Sequence, residues 1–443
     1  MPYDERYTGY IEKLGLLPWI QLVSRSTMNM NPSAISALVD RWRPETHSFH
    51  LRTGEMTVTL QDVSMITALP IDGAPVCFST DSKDWRACMT SLIGKAPEPK
   101  ADPSKDRLSA GATFVWIRKH FAKCPVGANT ETIEQYARAY VWYVITRTLF
   151  ADSGGRNAPW MWLKALSGKN LSWGSAALAY LYHQLDGACR RPLPQAGIGG
   201  PMVLLSVWMW EHFSVGRPKL LLPKPWNNHG NPLRRATWAY CWDRVAEFKG
   251  DPKREYVRYV NEFDELTPEQ VISVVKWEIY GTQEYFGRTP GHFELNPKCL
   301  SEEHLWLVKA PMICIFAVEL HLQHRVMSQF GLLQPTPPQW KDTKFPLHEM
   351  DRRRQKKVKN WDIYQSDYVS KWNARLAVAR KKKLYLRDHP PFDEAAFNAY
   401  LAWFHPRTRL ALCPPAFEDI IWMDANPGDD AGGNAAIELA SSL

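Results

Sequence analysis

Closely spaced thiol pairs are missing from this sequence. Its eight cysteines stand at positions 77, 88, 124, 189, 241, 299, 314 and 413, and no two have C-x2-C or C-x4-C spacing. The usual mark of a zinc knuckle is therefore lacking. Several thiols sit in apolar surroundings, Cys314 within PMICIFAV for example, which fits free, buried cysteines in a reducing compartment. The N-terminal stretch MPYDERYTGYIEKLG has no apolar h-region, so no secretory signal is expected. The longest apolar stretches, 201–210 and 311–318, are too short to span a bilayer. They read as buried helices of a soluble, intracellular protein.

Catalytic patterns are scarce as well. The Gly-Gly of ADSGGRNAP has no Gly-Lys-Ser/Thr after it and no strand before it, so it is no phosphate loop. There is no alternating strand–helix series and no Gly-rich cup for pyridoxal phosphate, and no metallophosphatase motif. The sequence therefore assigns no catalytic, cofactor-binding or metal-binding residue, and a non-enzymatic protein without a cofactor is expected.

Excess charge is confined to one place. The chain carries +8, but 352–387 alone holds 13 Lys/Arg against Asp362 and Asp367, a net +11, which leaves −3 for the rest. Two clusters make up most of this segment: Arg352, Arg353, Arg354, Lys356, Lys357 and Lys359, then Arg380, Lys381, Lys382 and Lys383. Their spacing resembles a bipartite nuclear localisation signal. A local positive field also suits an acidic partner or nucleic acid. Trp361, Tyr364, Tyr368 and Trp372 are interleaved and expected on one side of a helix, where they could stack bases.

What the chain has in quantity is tryptophan: 20 in 443 residues. Trp favours deep burial with its N–H bonded, so a Trp-rich core is expected, with a few left as exposed anchors. Helical periodicity recurs from Phe114 to Leu149, over 173–187 and over 201–213, the last apolar on most sides and hence central. Helices are also expected in LRRATWAYCWDRVAEF, in REYVRYVNEF, from Thr267-Pro268 onward, and as one long helix over 311–330 ended by Gly331. The segments 94–108 and 217–233 read as a surface loop and a connector that could separate two helical lobes, and 421–443 as a flexible tail.

The block ALVDRWRPETHSFHLRTGEMTVTLQDVSMITALPIDGAP, residues 37–75, is the most informative stretch. Asn31 offers a helix cap, and Pro44 ends the helix that reaches Trp42. Alternating runs around Thr53-Gly54 give a β-hairpin over 48–60. Thr59-x-x-Asp62 opens the next helix as a capping box. Glu45, His47 and His50 are metal-ligand types without one-faced metal-site spacing. They are expected, with Arg43, to staple helix to hairpin above Trp42. His321 and His324, three apart with Glu319 nearby, could share a helix face, and they too read as a hydrogen-bonded structural network.

This block resembles the signature of the plant mobile domain family. LYHQL with VLLSVWMWEHF, VVKWEIYG, and APMICIFAVELHLQHRVMSQFGLLQPTPP resemble further blocks of that family, together covering about 10–420. In the last block Glu319, His321, Arg325, Gln329, Phe330 and Gly331 fit. His324 and Gln323 depart from the residues usual there. The resemblance implies a mainly α, multi-helix globular domain over 1–420 with a small β-hairpin near 48–60. It also implies a nuclear protein concerned with meristem maintenance, transposon silencing or genome stability, with a partner similar to protein phosphatase 7. It provides no catalytic residues to carry over. Trp42, Arg43, Pro44, Glu45, His47, Glu319, His321 and Arg325 are the signature positions expected to fix structure or face that partner. A transposon-derived DNA- or chromatin-binding protein using 352–387 is the alternative.

Overall fold

A computed structural model describes residues 1–25, 28–99, 110–152, 154–167, 170–189, 198–267, 280, 294–338 and 358–409. The described part is mainly α-helical, with only small antiparallel strand pairs. After a 3-10 turn come α1 (Thr8–Lys13), α2 (Leu17–Arg25) and α3 (Pro32–Val39). The Asn31 side chain accepts from Ala34 N at 3.1 Å, and Pro32 fills the first turn, where no N–H is needed.

The helix ends earlier than Pro44 alone would require. Trp42–Arg43 (β1) is already extended and pairs with β2 (Ser48–Leu51), which pairs with β3 (Gly54–Met56). The expected hairpin is therefore the larger part of a three-stranded sheet. Helix α4 (Leu60–Thr67) opens with the expected capping box: Thr59 N donates to Asp62 Oδ2 at 2.7 Å, and Asp62 N to Thr59 Oγ1 at 3.3 Å. Such a cap is worth about 1 kcal/mol.

Next comes α5 (Trp85–Ile93), whose Trp85, Met89 and Ile93 are buried at a four-residue spacing. Helices α6 (Phe114–Phe121) and α7 (Thr130–Thr148) follow the periodicity, and strands β4 (Gly111–Thr113) and β5 (Asn157–Pro159) pair beside them. After α8 (Trp160–Ala165) comes α9 (Trp173–Cys189), which packs against α4 and, further on in the chain, against strands β6 (Pro311–Cys314) and β7 (Ala317–Leu320). Gly174 sits where α9 meets α4; a Cβ there would stand 2.8 Å from Ile71 Cγ2, so the approach needs glycine. Helix α10 (Met202–His212) is buried from Leu204 through His212, the all-round burial that its sequence implies.

Three departures from the sequence reading have physical causes. First, LRRATWAYCWDRVAEF forms two 3-10 turns, Pro232–Arg234 and Trp238–Trp242, and no α-helix. Tertiary bonds from the Trp238 and Trp242 indoles to Glu211 hold the second turn. Helix α11 (Pro252–Asp264) then forms as expected and lies along α3. Second, 311–330 is not a long helix. It is the hairpin β6–β7 followed by 3-10 turns Gln323–Arg325 and Met327–Phe330. The turn is Ile315-Phe316, with Ile315 at φ 59°, an outlier for a β-branched residue. Burial of Ile315 and its N–H bond to Val76 O at 2.6 Å hold it there. Gly331, at φ 69°, still ends the segment.

Third, the expected aromatic side of the C-terminal segment is split. After α12 (Lys298–Ser301), it forms α13 (Trp361–Tyr364), α14 (Ser366–Asn373), α15 (Arg375–Lys382) and α16 (Glu394–Phe404). Trp361 and Trp372 are buried, Tyr368 is half-buried, and Tyr364 is exposed. A single buried apolar cluster runs from Tyr7 to Ala379, with a small second one at Phe397, Tyr400 and Phe404. Trp19, Trp42, Trp142, Trp173, Trp208, Trp210, Trp238, Trp361 and Trp372 are among its largest fully enclosed side chains, as the composition suggested. The helix expected after Thr267, VVKWEIYG apart from Tyr280, the basic residues of 352–357, and the tail at 421–443 lie outside the described residues.

Candidate functional site

Of the signature residues, Trp42, His47 and Glu319 meet in a buried polar seam between the N-terminal sheet, α9 and the β6–β7 hairpin. The four-residue loop between β1 and β2 ends at His47, which is held at φ 49°. Left-handed backbone is uncommon outside glycine, although His tolerates it better than most residues. It turns the imidazole inward, where only 3% of the residue is exposed. His47 Nδ1 donates to Leu320 O at 2.9 Å. Its Nε2 lies 3.1 Å from Glu319 Oε2 and 3.8 Å from Asp186 Oδ2. Burial alone would lower its pKa, but the bond to Glu319 and the charges of Asp186 and Glu319 outweigh that and push it up to about 9. His47 is therefore an enclosed imidazolium at neutral pH.

Helix α9 brings two more groups to this point. Asp186 accepts from Trp42 Nε1 at 2.6 Å, and His183, one turn earlier, lies with Nδ1 3.2 Å from Glu319 Oε1. Trp42 stacks on His47 with centroids 6.2 Å apart, and Tyr182 stands 5.2 Å away. The Tyr182 hydroxyl donates to Val58 O at 2.6 Å.

A second knot lies on the other side of the sheet strands. Arg325 donates from Nε to Glu55 Oε1 at 2.8 Å, with Nη2 at 2.7 Å from the same oxygen. Ser48 Oγ donates to that oxygen at 3.1 Å, and His50 Nε2 lies 3.2 Å from it. Tyr400 OH stands 3.1 Å from Glu55 Oε2. Burial opposes ionisation of Glu55, yet His50 and Arg325 more than offset it and hold the carboxyl below its ordinary range. Beside this knot the Gln329 side chain bonds both backbone groups of Thr57, accepting from N at 2.8 Å and donating to O at 3.0 Å. A side-chain amide thus stands in for a neighbouring strand.

Arg43 and Glu45 do not join this seam. Glu45 is exposed, and the guanidinium of Arg43 donates to the carbonyls of Asp40 and Trp42. Pro44 is buried. His321 Nδ1 donates to Val308 O at 3.1 Å, and burial pushes its pKa down to about 4. It follows strand β7 while His324 sits in a 3-10 turn, so no helix face joins them. Glu55, Asp186, His183 and Tyr400 were not singled out from the sequence. The one available signal was the i, i+3 spacing of His183 and Asp186 on a well-marked helix.

The basic residues lie elsewhere. Lys359 is exposed, with Asp81 Oδ2 at 3.3 Å, and Arg380, Lys381, Lys382 and Lys383 are exposed at the end of α15. Arg352, Arg353, Arg354, Lys356 and Lys357 fall outside the described residues. No described helix is long and apolar enough to cross a membrane.

Comparison with known proteins agrees with the signature. The sequence model of the plant mobile domain matches residues 17–405. Over 396 residues the chain is 32% identical to the Arabidopsis thaliana serine/threonine-protein phosphatase 7 long form homolog, covering 87% of this chain and 27% of that protein. It is 30% identical over 433 residues to Protein MAINTENANCE OF MERISTEMS of the same plant, covering 91% and 83% respectively. Protein MAIN-LIKE 1 is 30% identical over 342 residues, 75% of this chain and 58% of its own length. The chain thus spans only about a quarter of the first of these relatives and most of the second. No solved structure matches.

Proposed function

The chain belongs to the plant mobile domain family, and from that premise we propose that it is a non-enzymatic nuclear interaction protein. In this reading it is a helical scaffold that docks a phosphatase similar to protein phosphatase 7, or another nuclear protein, and acts in meristem maintenance, transposon silencing or genome stability. The observation that carries this reading is the overlap with the long-form phosphatase 7 homolog. Most of this chain corresponds to about a quarter of that protein, as an accessory module joined to a separate activity would. Affinity purification of the tagged chain from plant nuclei, followed by mass spectrometry, tests this. Enrichment of a phosphatase of that type over a tag-only control is expected, and its absence from replicate purifications counts against the proposal.

A second reading rests on the exposed run Arg380–Lys383. Four adjacent cations at a helix end suit phosphate contacts and salt-sensitive DNA binding. Because Trp361 and Trp372 are buried, such binding would run through charge and not through base stacking by those two rings.

A further inference from the structure

We propose that His47, Asp186 and Glu319 form a binding site for one divalent transition-metal ion, with zinc as the natural first probe. The three side chains are buried, and His47 Nε2 and one oxygen from each carboxylate all lie within 4.8 Å of one another. Two ligands bonded to one zinc at about 2.1 Å in a tetrahedron stand roughly 3.4 Å apart. The two measured His47 distances, 3.1 and 3.8 Å, bracket that spacing.

The surroundings match what a metal site needs around its ligands. A ligating imidazole commonly fixes its ring by donating its other N–H to a carbonyl, and its carboxylate partners are themselves hydrogen-bonded. Here His47 Nδ1 donates to Leu320 O. The second oxygen of Asp186 takes the Trp42 indole N–H, and the second oxygen of Glu319 lies beside His183. Each ligand is thus oriented by a further contact, and one atom of each lies within 4.8 Å of the other two. The ligands come from a strained loop, a helix and a strand, so a bound ion would tie three distant parts of the chain together.

Charge favours the same conclusion. Glu319 Oε2 at 3.1 Å and Asp186 Oδ2 at 3.8 Å both flank His47 Nε2. Two carboxylates enclosed this closely repel each other, and one divalent ion can engage both at once. On binding, the ion takes the place of the Nε2 proton, which passes to solvent. One nitrogen with two carboxylate oxygens is a donor set for zinc, manganese or ferrous iron rather than for calcium, which prefers oxygen alone.

The test uses the full chain, dialysed against a chelator and then titrated with Co2+ and Zn2+. About one equivalent of metal is expected to bind, raising the melting temperature by several degrees. The Co2+ complex should show weak d–d bands without an intense thiolate-to-metal band, because the ligands are nitrogen and oxygen. Asp186→Asn should abolish that spectrum, and if this variant fails to fold, the wild-type X-ray absorption spectrum decides by the atoms bonded to the metal. No saturable binding, or a spectrum dominated by sulfur ligands, overturns the proposal.

Discussion

Arg325→Met offers the sharpest test of the buried seam. Two nitrogens of Arg325 reach Glu55 Oε1 at 2.8 and 2.7 Å, and both side chains are almost wholly enclosed. Met keeps most of the volume and removes the charge. The Glu55 carboxylate would then be left buried with His50, Ser48 and the Tyr400 hydroxyl but without its guanidinium. Breaking one partner of a buried pair costs about 3–5 kcal/mol, a large share of the ~5–15 kcal/mol that holds a typical protein folded. The cost should shrink in the double variant Glu55→Gln/Arg325→Met, because no carboxylate is then stranded. Acid should act in the same direction. Glu55 has a depressed folded-state pKa, so its contribution is present above its unfolded value and is lost as pH falls below it. The gap between wild type and Arg325→Met should therefore narrow toward pH 4. Urea unfolding followed by tryptophan fluorescence measures all of this. A loss below about 1 kcal/mol for the single variant, or a double variant no better than the single, would refute the reasoning.

Other consequences can be checked with similar means. His47 has a raised folded-state pKa of about 9, so its stabilisation is complete below its unfolded pKa and is lost as pH rises through 9. In chelator, the wild type should lose stability between pH 6.5 and 9, by at most about 3 kcal/mol, and His47→Gln should show a flatter profile over that range; equal slopes would contradict the ion-pair geometry. Trp42→Phe keeps the stacking ring but removes the indole N–H from Asp186, and should cost about 1–3 kcal/mol, read by thermal melting. Replacing Lys381, Lys382 and Lys383 by Glu should leave the melting temperature within a degree or two. If the basic run binds nucleic acid, it should also abolish salt-sensitive retention on DNA; unchanged retention would remove that reading.

The helices were legible wherever local chemistry specified them. Asn31 and Thr59–Asp62 cap as their residue types require, α7 and α9 follow their apolar spacing, and α10 is apolar on every side and buried accordingly. The β6–β7 hairpin was hidden because its turn contains neither Asn nor Gly. Ile315 takes a left-handed conformation that tertiary burial enforces, and a short apolar run has no periodicity that separates strand from helix. The seam was half legible. The sequence marked His47, Glu319 and Arg325 as belonging to signature blocks, but gave no sign that His47 would meet Glu319, or Arg325 meet Glu55, across some 270 residues. Such pairings depend on how α9 and the hairpin pack, which periodicity does not encode. Glu55 directly follows the Gly54 turn in sequence, yet it is the acceptor for four separate side chains.

The measurement closest to the central claim is direct binding of the purified chain to a purified phosphatase 7-like catalytic protein, by titration calorimetry at low and at high salt. The proposal that this fold is a docking scaffold predicts saturable binding with a defined stoichiometry. Heat no greater than dilution, for a chain shown by its melting curve to be folded, would contradict it.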